Sequence, residues 1–509
     1  MMDNTRPFSR SGDLRRPPAR LPLPFLLVLL TGLALLAGCA VGPKYQRPEV
    51  KVPTGYRDVP TAAQQRAAFA DLPWWEVFKD PTLQELIRTA MVNNHDLRAA
   101  VTRIEQARQV ALQARAQYFP AVDYSGGASY GQNEFLGAAS NTNGETEGTL
   151  MVLASAAWEL DLWGRIRRLN EAAQAQYLAT EEARRSVMLS LAGDVAQAYF
   201  ELLTLQLQLD IARRTTASFD DTLKLFTQRL EGGVASRLDT SRAAAARALA
   251  AAWIPELERL IAIKENQLCL LLGQPPGPIR TEAKLLEQVI PPDIPPGLPS
   301  ALLERRPDVR IAEERLRYTN AQVGIATAAF FPRIGLTALF GQGSQPLDEI
   351  TSGDATIWSL AGNIAGPIYR GGELKARKRE AIAAWEQARL DYERTALGAF
   401  RDVANALVSR EKFEAIRLEQ VRAVQAYEEA VEVALKRYVA GFASYYEVLE
   451  AQQQLFPAEY SLAQTELNRR VVFIQLYKAL GGGWNLQTAE WTEGRLAPAA
   501  PETPPEPRN

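Results

Sequence analysis

The stretch that most constrains the fold runs from Gly371 to Val439 and contains no proline. It is rich in Ala, Glu, Arg, Leu and Gln, the residues that lose least conformational freedom on entering a helix. Near its end, apolar residues recur at spacings of three and four, as in a coiled-coil seam: Val424, Tyr427, Val431, Ala434 and Tyr438. The run predicts a helix of roughly 70 residues, ~100 Å long at ~1.5 Å per residue. A tight turn at Gly441 and a return helix from Tyr445 to about Leu480 should follow.

The same hairpin pattern occurs 208 positions earlier in the chain. Gly233 corresponds to Gly441, and Ser236 corresponds to Ser444. Nearer the start of each half the matching segments are 212 positions apart: residues 94–97 with 306–309, and 118–120 with 330–332. Glycines, prolines and capping positions recur in step, which indicates an internal duplication.

The duplication divides the chain into two copies of one elongated unit. Repeat 1 covers 81–273 and repeat 2 covers 298–482, with a proline-rich linker at 274–297 and a tail at 483–509 that we expect to be disordered. Each repeat is predicted to hold a helix, two strands, a long helix, a tip at 231–239 or 439–447, and a return helix. The first helix of repeat 1 is expected to run unbroken from Pro81 to Tyr118.

Composition excludes several classes of function. The net charge of −2 gives no electrostatic footprint for nucleic acid. Two cysteines provide no disulfide framework, and a single histidine provides no ordinary multi-histidine metal site. Neither a nucleophile–base set nor a phosphate-binding loop stands in the required context. We therefore expect no enzyme, no metal and no cofactor.

The N-terminus has the form of a secretory signal peptide over 1–38. Arginines at 15, 16 and 20 precede the apolar run 21–36. A transmembrane anchor is the alternative, but the run is shorter than the ~20 residues a spanning helix needs. Its last residues, Leu36 to Cys39, resemble a bacterial lipobox, in which the cysteine thiol accepts a diacylglyceryl group. Cys39 could instead be a plain small residue at a cleavage site.

By resemblance to lipoprotein sorting rules, Ala40 after the cysteine favours the outer membrane. Residues 39–80 are then a lipidated, extended tether rich in proline. Its aromatic cluster at Trp74 and Trp75 should dock the tether onto the helices, and Asp80 should cap a helix that has Pro81 at its first position.

Strict alternation of apolar and polar residues predicts four strands, at about 121–131, 150–161, 333–342 and 356–366. Segments of roughly ten residues with this pattern and with aromatic residues near their ends are typical of outer-membrane barrels. A soluble antiparallel sheet would show the same alternation, and the lipobox favours the membrane interpretation.

Four strands cannot close a barrel, and unpaired backbone groups are not tolerated in lipid. The smallest outer-membrane barrels have about eight strands, so the chain must share a barrel with copies of itself. A dimer gives eight strands and a trimer twelve, and an eight-stranded barrel is filled by its own side chains. A through-channel therefore favours the trimer. The predicted fold class is mainly α with transmembrane β.

The chain resembles the TolC-like outer-membrane efflux proteins, and within them the lipoprotein NodT/OprM-type subfamily, from Cys39 to Trp484. The residues that carry the resemblance are 39–43 with Tyr45 and Pro48; Trp74, Trp75, Phe78, Asp80, Pro81 and Leu83; 306–309; Phe331 and Pro332; 366–369 with Gly371 and Gly372; and 437–441 with Ser444, Tyr445, Val448 and Leu449. The resemblance implies a homotrimer forming a twelve-stranded β-barrel on a tunnel of twelve α-helical rods. It further implies a passive exit duct that partners a periplasmic membrane-fusion adaptor and an inner-membrane pump, often of the resistance-nodulation-division class.

In this family the periplasmic end of the tunnel is closed by the helical tips, which open by an iris-like movement. By position, Glu447 and Glu450 match an acidic ring, and Asp239 and Tyr438 match tethering positions. Some relatives carry an arginine tether where this chain has Ala443, and Arg237 is the candidate substitute. The adaptor-docking tips would be Gly232, Gly233, Val234, Ala235 and Ser236, with Gly441, Phe442, Ala443 and Ser444. Alternatively, Glu447 and Glu450 are ordinary solvated charges.

Three other functions are alternatives to a drug-efflux duct. The chain could be the outer-membrane duct of a type I protein secretion system, or a structural coiled-coil lipoprotein that bridges membrane and cell wall. A structural role would not explain why each of the two helical hairpins is accompanied by a pair of strands at the same place in its repeat. A periplasmic hydrolase lacks any nucleophile–base set.

Overall fold

The computed structural model describes residues 40–56, 69–131, 147–288, 297, 299–344 and 355–486. The predicted signal peptide 1–38, Cys39 and nearly all of the predicted tail lie outside these residues. The chain divides into two compact units. The described residues within Met1–Pro43, Gln117–Leu169 and Gly324–Ala376 form a sheet unit, and those within Lys44–Ala116, Asn170–Val323 and Arg377–Asn509 form a helical unit.

The sheet unit contains four antiparallel strands in the order β1-β2-β3-β4. They are β1 Ala121–Gly131, β2 Glu147–Leu160, β3 Arg333–Ser344 and β4 Thr356–Ala365. Tyr124 on β1 is paired with Ala154 on β2, which is paired with Phe340 on β3, and Phe340 is paired with Trp358 on β4. Even-numbered residues of all four strands therefore share one face of the sheet.

That even-numbered face is apolar and exposed in the single chain. Tyr124 is 91% exposed and Trp358 is 75% exposed. Other exposed apolar residues of the same face are Val122, Val152, Trp158, Leu336, Phe340, Leu360 and Ile364. A face of this kind on one folded unit marks a surface that another apolar phase or another molecule covers.

Three helices of the first repeat recur with the same length in the second repeat. The helices are α1 Trp74–Val77, α2 Pro81–Asn93, α3 His95–Ala116, α4 Arg165–Glu231, α5 Arg237–Leu271, α6 Leu302–Arg305, α7 Pro307–Ala328, α8 Glu373–Val439 and α9 Tyr445–Ala479. The long helices α4 and α8 have 67 residues each, the return helices α5 and α9 have 35 each, and α3 and α7 have 22 each. In contrast, α2 has 13 residues and α6 has four. The three equal lengths in the same order agree with the duplication. Among the described helices, none is both long enough and apolar enough to cross a bilayer.

The expected unbroken helix from Pro81 to Tyr118 is wrong, because the chain breaks at Asn94. Asn94 adopts ψ 127°, and its side-chain oxygen accepts a hydrogen bond from the backbone N–H of Leu97 at 3.0 Å. Its amide nitrogen donates to the carbonyl of Leu271 at 2.9 Å. An asparagine that caps a new helix competes with continuation of the old one.

The second repeat breaks at the equivalent place by different chemistry. Arg306 is extended because Pro307 follows it. Its guanidinium donates to the carbonyl of Ala479 at 3.1 Å, and Ala479 stands 208 positions after Leu271. It also forms an ion pair with Asp308 at 2.7 Å and with Asp402 at 3.2 Å. The Arg-Pro-Asp-Val motif thus ties this break to α8 and α9.

A large hydrophobic cluster, here called the main core, fills one part of the helical unit. Trp74, Tyr199, Tyr392 and Tyr477 are among its fully buried side chains. The tether residue Phe69 lies 4.9 Å from Phe473 of α9 between ring centroids. The prediction that the aromatic end of the tether docks on the helices is confirmed.

Asp80 joins three segments at the edge of the main core. Its Oδ1 accepts hydrogen bonds from the backbone N–H groups of Thr82 and Leu83, so it caps α2 as predicted. Its Oδ2 accepts from the Tyr199 hydroxyl at 2.7 Å and from the Gln288 amide at 2.6 Å. The tether, α4 and the linker are therefore tied at one buried carboxylate.

Candidate functional site: the helical tips and the N-terminal segment

Both long helices end in the same turn, which the duplication predicts. At the first tip the N–H of Val234 donates to the carbonyl of Arg229 at 2.8 Å, and that of Gly233 to Leu230 at 3.0 Å. At the second tip Phe442 donates to Arg437 at 2.8 Å and Gly441 to Tyr438 at 3.0 Å. These are the two hydrogen bonds of a Schellman motif. Gly233 and Gly441 have φ of +76° and +83°, which explains glycine at both positions.

The return helices start with serine caps, and their acidic partners are two of the predicted gate residues. Ser236 accepts a hydrogen bond at its Oγ from the N–H of Asp239 at 3.2 Å and donates its hydroxyl to the Asp239 carboxylate at 2.8 Å. At the second tip the N–H of Ser444 donates to the Glu447 carboxylate at 3.1 Å. Each carboxylate thus holds the first turn of its own helix. Tethering by Asp239 and an acidic ring at Glu447 stay predictions.

The two hairpins of one chain meet through aromatic rings. Phe226 of α4 is fully buried between Tyr438 and Tyr445, with ring centroids 5.0 Å and 4.2 Å away. A small cluster surrounds them, here called the tip core: Phe219, Phe226, Ala243, Ala246, Ala250, Tyr438, Tyr445, Val448 and Leu449. The ring of Tyr438 is thus packed between the hairpins, and its role as a gate tether stays a prediction.

The Tyr445 hydroxyl is buried and has no hydrogen-bond partner within the described part of the chain. Burial first, and then the negative charge of Asp239, raise the pKa of Tyr445 to about 12. An unsatisfied buried hydroxyl carries a desolvation cost. The cluster around Tyr445 therefore holds the two hairpins together less firmly than it would if this hydroxyl had a hydrogen-bond partner.

Arg229 and Arg437 are equivalent in the two repeats but make different contacts. Arg229 of the first hairpin lies 4.4 Å above the ring of Tyr438 and donates to the carbonyl of Val439 at 3.4 Å, both on the second hairpin. Its counterpart Arg437 donates to Phe442 of its own turn at 3.3 Å. Arg229 is thus the cross-hairpin contact at the very end of the helices, with a cation–π geometry.

A polar ladder continues the contact between α4 and α9 away from the tips. The buried Gln452 amide donates to Ser218 at 3.1 Å and to Thr222 at 3.0 Å. Further along, Arg214 forms an ion pair with Glu459 at 3.1 Å. The buried bond between Gln452 and Thr222 favours one register of the two helices, because a shift would leave it unsatisfied.

The remaining predicted site residues lie on the surface of the tips. Glu450 and Arg237 are exposed, and Val234 and Phe442 are 77% and 79% exposed at the ends of the two turns. Exposed apolar residues at both tips fit an interaction with another molecule. Phe226, Arg229, Tyr445 and Gln452 were not predicted as site residues. The sequence holds a signal for two of them, because Phe226 follows Phe219 by seven residues, a coiled-coil spacing, and Arg229 precedes Arg437 by 208 positions.

The N-terminal segment is built into the sheet unit directly after Cys39. The N–H of Val41 donates to the carbonyl of Trp163 at 3.0 Å. A Cβ on Gly42 would lie 2.7 Å from the Cα of Gly324, and one on Gly164 would lie 2.5 Å from the Cβ of Ala40. These close approaches require glycine at 42 and 164 and fix the residues that follow the predicted lipid site. Lipid attachment at Cys39 itself lies outside the described residues.

This architecture defines a class of protein, and comparisons with known proteins identify the family. A sequence profile described as outer membrane efflux protein matches residues 86–274 and 298–482, one match for each repeat. The chain belongs to this family. It is an outer-membrane channel component of an efflux system, and the predicted family, localisation and efflux function are confirmed.

Particular relatives cover nearly the whole chain. The probable efflux pump outer membrane protein TtgC of Pseudomonas putida is 36% identical over 474 residues, 91% of this chain and 97% of that protein. Outer membrane protein OprJ of Pseudomonas aeruginosa is 34% identical over 472 residues, 90% of this chain and 95% of that protein.

Solved structures share the fold. The outer-membrane channel OprN has a TM-score of 0.81 at 31% identity, covering 88% of this chain and all of that chain. The open state of the MtrE outer membrane channel of Neisseria gonorrhoeae has a TM-score of 0.79 at 31% identity, covering 88% of this chain and 99% of that chain. The mainly helical fold with a small antiparallel sheet agrees with these channels.

Proposed function

We propose that three copies of this chain form a passive exit duct for compounds delivered by an inner-membrane pump through a periplasmic adaptor. The observation that carries the proposal is the four-stranded sheet with an exposed apolar face and two edges, β1 and β4. The duct performs no chemistry of its own, and substrate choice belongs to the pump.

Closure by copies of the chain follows from strand direction. All neighbouring strands are antiparallel, so β4 of one copy runs antiparallel to β1 of the next when the copies are related by rotation. Pairing these edges satisfies backbone groups that would otherwise cost several kcal/mol each in lipid. Three copies supply twelve strands, which leave room for water, whereas eight strands are filled by side chains.

Partner docking is assigned to the tips. Val234 and Phe442 present apolar side chains beside backbone turns of the same geometry, repeated twice in each chain. A trimer would present six such turns to a periplasmic adaptor. Several relatives are named as components of antibiotic, toluene or solvent efflux pumps, which supports a pump as a partner here. The adaptor and the resistance-nodulation-division class of the pump are proposed from the resemblance to the TolC-like family.

Lipidation of Cys39 by a diacylglyceryl group and an N-acyl chain completes the proposed anchoring. The lipobox supports it, and so does the fixed position of Ala40, Val41 and Gly42 in the sheet unit. A peptide bond joins Cys39 to Ala40, so the lipid would be attached one residue before a segment whose position is fixed.

The gate is assigned to the tips as well. Tyr438 with Phe226 and Arg229 holds the two hairpins of a chain together, and the exposed carboxylates Glu447 and Glu450 would face a narrow lumen. Rings of carboxylates favour cations and bind multivalent ones. Asp239 and Arg237 are the remaining tether candidates.

The proposal is tested by deleting the gene and complementing it across a panel of antibiotics and organic solvents. We expect sensitivity on deletion, full rescue by the native chain, and a heat-labile trimer in outer-membrane fractions. A monomer that rescues resistance, or a trimer that carries no current in planar bilayers, would overturn it. Cys39→Ser tests the anchor separately, by loss of acyl mass from the purified chain.

Single-channel conductance tests the gate residues. Tyr438→Ala should raise resting conductance because it opens the aromatic contact, whereas Tyr438→Phe keeps the ring and serves as the matched control. Asp239→Ala should raise it only if the carboxylate also bonds outside its own capping box. Unchanged conductance in Tyr438→Ala would remove this residue from the gate.

A further inference from the structure

We propose that β4 is extended by residues 366–368 in the assembled protein, because these residues pair with residues 122–124 at the start of β1 of the next copy. Residues 366–368 are here called the overhang, and the line along which β4 meets β1 of the next copy is called the seam. The proposal also includes a ring contact across the seam, between Tyr369 and Phe119 of the next copy. It rests on the proposed trimer and goes beyond it, because a shared barrel can be closed in more than one register.

The first repeat shows how such an overhang is held. Pairing of β2 with β1 ends at Ala157, opposite Ala121. β2 nevertheless continues through residues 158–160, which pair with residues 334–336 of β3. The extra length of β2 is therefore held by the first strand of the other repeat and not by its own hairpin.

Within the described part of one chain, the corresponding residues of the second repeat have no partner strand. Pairing of β4 with β3 ends at Ala365, opposite Arg333, and these residues correspond to the last pair of the first hairpin at offsets of 208 and 212. At the offset of 208, the overhang corresponds to residues 158–160. β4 is an edge of the described sheet, so the overhang is left outside any strand, and Ile368 is fully exposed.

The backbone after the strands supports this correspondence. Gly164 and Gly372 stand 208 positions apart, and both have positive φ, +77° and +90°. The long helices start at the next residue of each repeat, at Arg165 and Glu373. Because the two hairpins pair in the same way and lead into equivalent turns, the contact between β2 and β3 is a template for the seam.

The template gives a definite register. Leu160 pairs with Ile334 in one chain. Their counterparts at the offsets of 208 and 212 are Ile368 and Val122. Ile368 of one copy therefore lies opposite Val122 of the next copy, and the preceding residues of β4 follow in step.

This register keeps the apolar face of the sheet continuous across the seam. Ile368 and Val122 are both exposed apolar residues in the single chain. Tyr124, which is 91% exposed, lies opposite Gly366, and a glycine leaves room for an aromatic ring to lie across the neighbouring strand. A shift by one residue would instead bring the polar Asp123 into line with the apolar residues of β4.

Pro367 is the residue of the overhang that departs from the template, because Glu159 stands at its place in the first repeat. Proline has no N–H to donate to a ladder and is found on edge strands. On an edge it also protects an unassembled chain from pairing with a wrong strand. The extension of β4 therefore depends on the backbone of Gly366 and Ile368.

The ring contact follows from a difference between the repeats. In one chain Phe331 stacks on Trp163, with ring centroids 4.6 Å apart. The counterpart of Phe331 is Phe119, which is 65% exposed, whereas the counterpart of Trp163 is a glycine, Gly371. Tyr369 is 88% exposed and, in the proposed register, is a diagonal neighbour of Phe119 of the next copy. Diagonal neighbours are within reach of aromatic side chains, so the two rings cover each other.

The first test joins neighbouring copies by a disulfide at the overhang. Ile368→Cys and Val122→Cys are combined in a Cys269→Ala background of the full chain and oxidised in outer-membrane fractions. Residues directly opposite in antiparallel strands have Cα atoms about 4.5–5.5 Å apart, within the range of a disulfide. We expect covalent dimers and trimers that survive heating. The Cys269→Ala chain without the added cysteines is the blank, because it keeps Cys39.

Matched cysteine pairs calibrate this result. Leu160→Cys with Ile334→Cys occupies the equivalent positions within one chain, so oxidation should consume both thiols without any increase in mass. Ile368→Cys combined with Tyr124→Cys or with Pro120→Cys reports a register shifted by two residues in either direction. These displaced pairs are about 7–8 Å apart in the proposed register and should cross-link about tenfold more slowly.

Failure of the register and failure of the trimer are distinguishable in this design. If the native chain is a monomer in outer-membrane fractions, the proposed trimer fails. If the native chain is a trimer but a displaced pair cross-links faster than the pair at 368 and 122, only the register is wrong. If the matched pair within one chain oxidises and no pair between copies does, the overhang is not paired and the extension of β4 is wrong.

The second test needs no cysteine and measures how fast the trimer dissociates on heating. Tyr369→Ala and Phe119→Ala should each speed dissociation about two- to tenfold, the factor that an aromatic pair supplies. The double variant should dissociate no faster than the single variants, because either change removes the same contact. Tyr369→Phe keeps the ring and should dissociate at the native rate. An unchanged rate in Tyr369→Ala, or additive effects in the double variant, would overturn the ring contact.

Discussion

The main core and the tip core of the helical unit differ in size and in the side chains that they bury. The main core buries large aromatic side chains such as Trp74, Tyr199 and Tyr477 against several helices and the tether. The tip core is much smaller, and three of its nine buried members are alanines of α5, namely Ala243, Ala246 and Ala250. Since buried apolar area sets much of the stability, the tip core should open at a lower free energy than the main core.

The two regions also treat charge differently. In the main part of the unit, Glu466 is buried and pairs with Arg470 at 2.7 Å and with Arg469 at 2.8 Å. Arg470 also donates to the carbonyl of Leu285 at 2.6 Å, which ties the linker to α9. At the tips Glu447 is exposed, and Arg229 is half-buried against the ring of Tyr438 without an acidic partner at that contact. The difference indicates that the main core is held more firmly than the tip core.

The largest effect should follow from breaking the buried ion pair of the main region. Glu466→Ala leaves Arg470 buried without its carboxylate, and removing one partner of such a pair costs about 3–5 kcal/mol. Denaturant unfolding of the detergent-solubilised protein, followed by circular dichroism, measures the free energy of unfolding. Glu429→Ala, at an exposed glutamate of α8, is the control and should change it little.

A smaller and local effect should follow from truncating the centre of the tip core. Phe226→Ala removes a fully buried ring, a change that costs about 3 kcal/mol or more in a core. Because the tip core is separate from the main core, we expect faster amide hydrogen exchange at Tyr438 and Tyr445 with little change in exchange near Trp74. Exchange that rises equally in both regions would show that the two cores unfold together.

The repeat, the strands and the helix ends could be predicted from the sequence, because each has a local signal. The turns at Gly233 and Gly441 and the caps at Ser236 and Ser444 are set by residues within a few positions of each other. The aromatic contact between Phe226 and Tyr445 joins positions more than two hundred residues apart, and no local rule supplies that pairing. The break at Asn94 was missed because asparagine is compatible with a helix until its side chain caps the next one.

A pH titration should distinguish the main core from the tips, with a smaller effect on stability than the two substitutions above. Burial acts to raise the pKa of Glu466, but hydrogen bonds from Arg470 and Arg417 outweigh it and hold the pKa below the ordinary value of 4.5. Stability from a depressed carboxyl pKa is fully present above pH 4.5 and is lost as the pH falls through the folded value.

The main region should therefore lose protection from amide exchange as the pH falls below that window, and Glu466→Gln should lose this part of the pH dependence. Near the tips, a hydrogen bond from Lys436 lowers the pKa of Glu432, which is fully exposed. Salt should abolish any contribution from Glu432 and leave that of Glu466. Equal salt sensitivity of the two regions would contradict the difference in burial.

The smallest effect concerns the two caps, which compare the tips with each other. Both serines start equivalent helices, but the Ser236 hydroxyl lies 2.8 Å from its carboxylate partner, whereas the Ser444 hydroxyl lies 3.5 Å from Glu447. Ser236→Ala should cost about 1 kcal/mol, near the middle of the range for caps, and Ser444→Ala should cost less. Amide exchange in the first turns of α5 and α9 measures each cost locally. Equal costs would mean that the second cap is as tight as the first, and that the tips differ only in the cross-hairpin contact of Arg229.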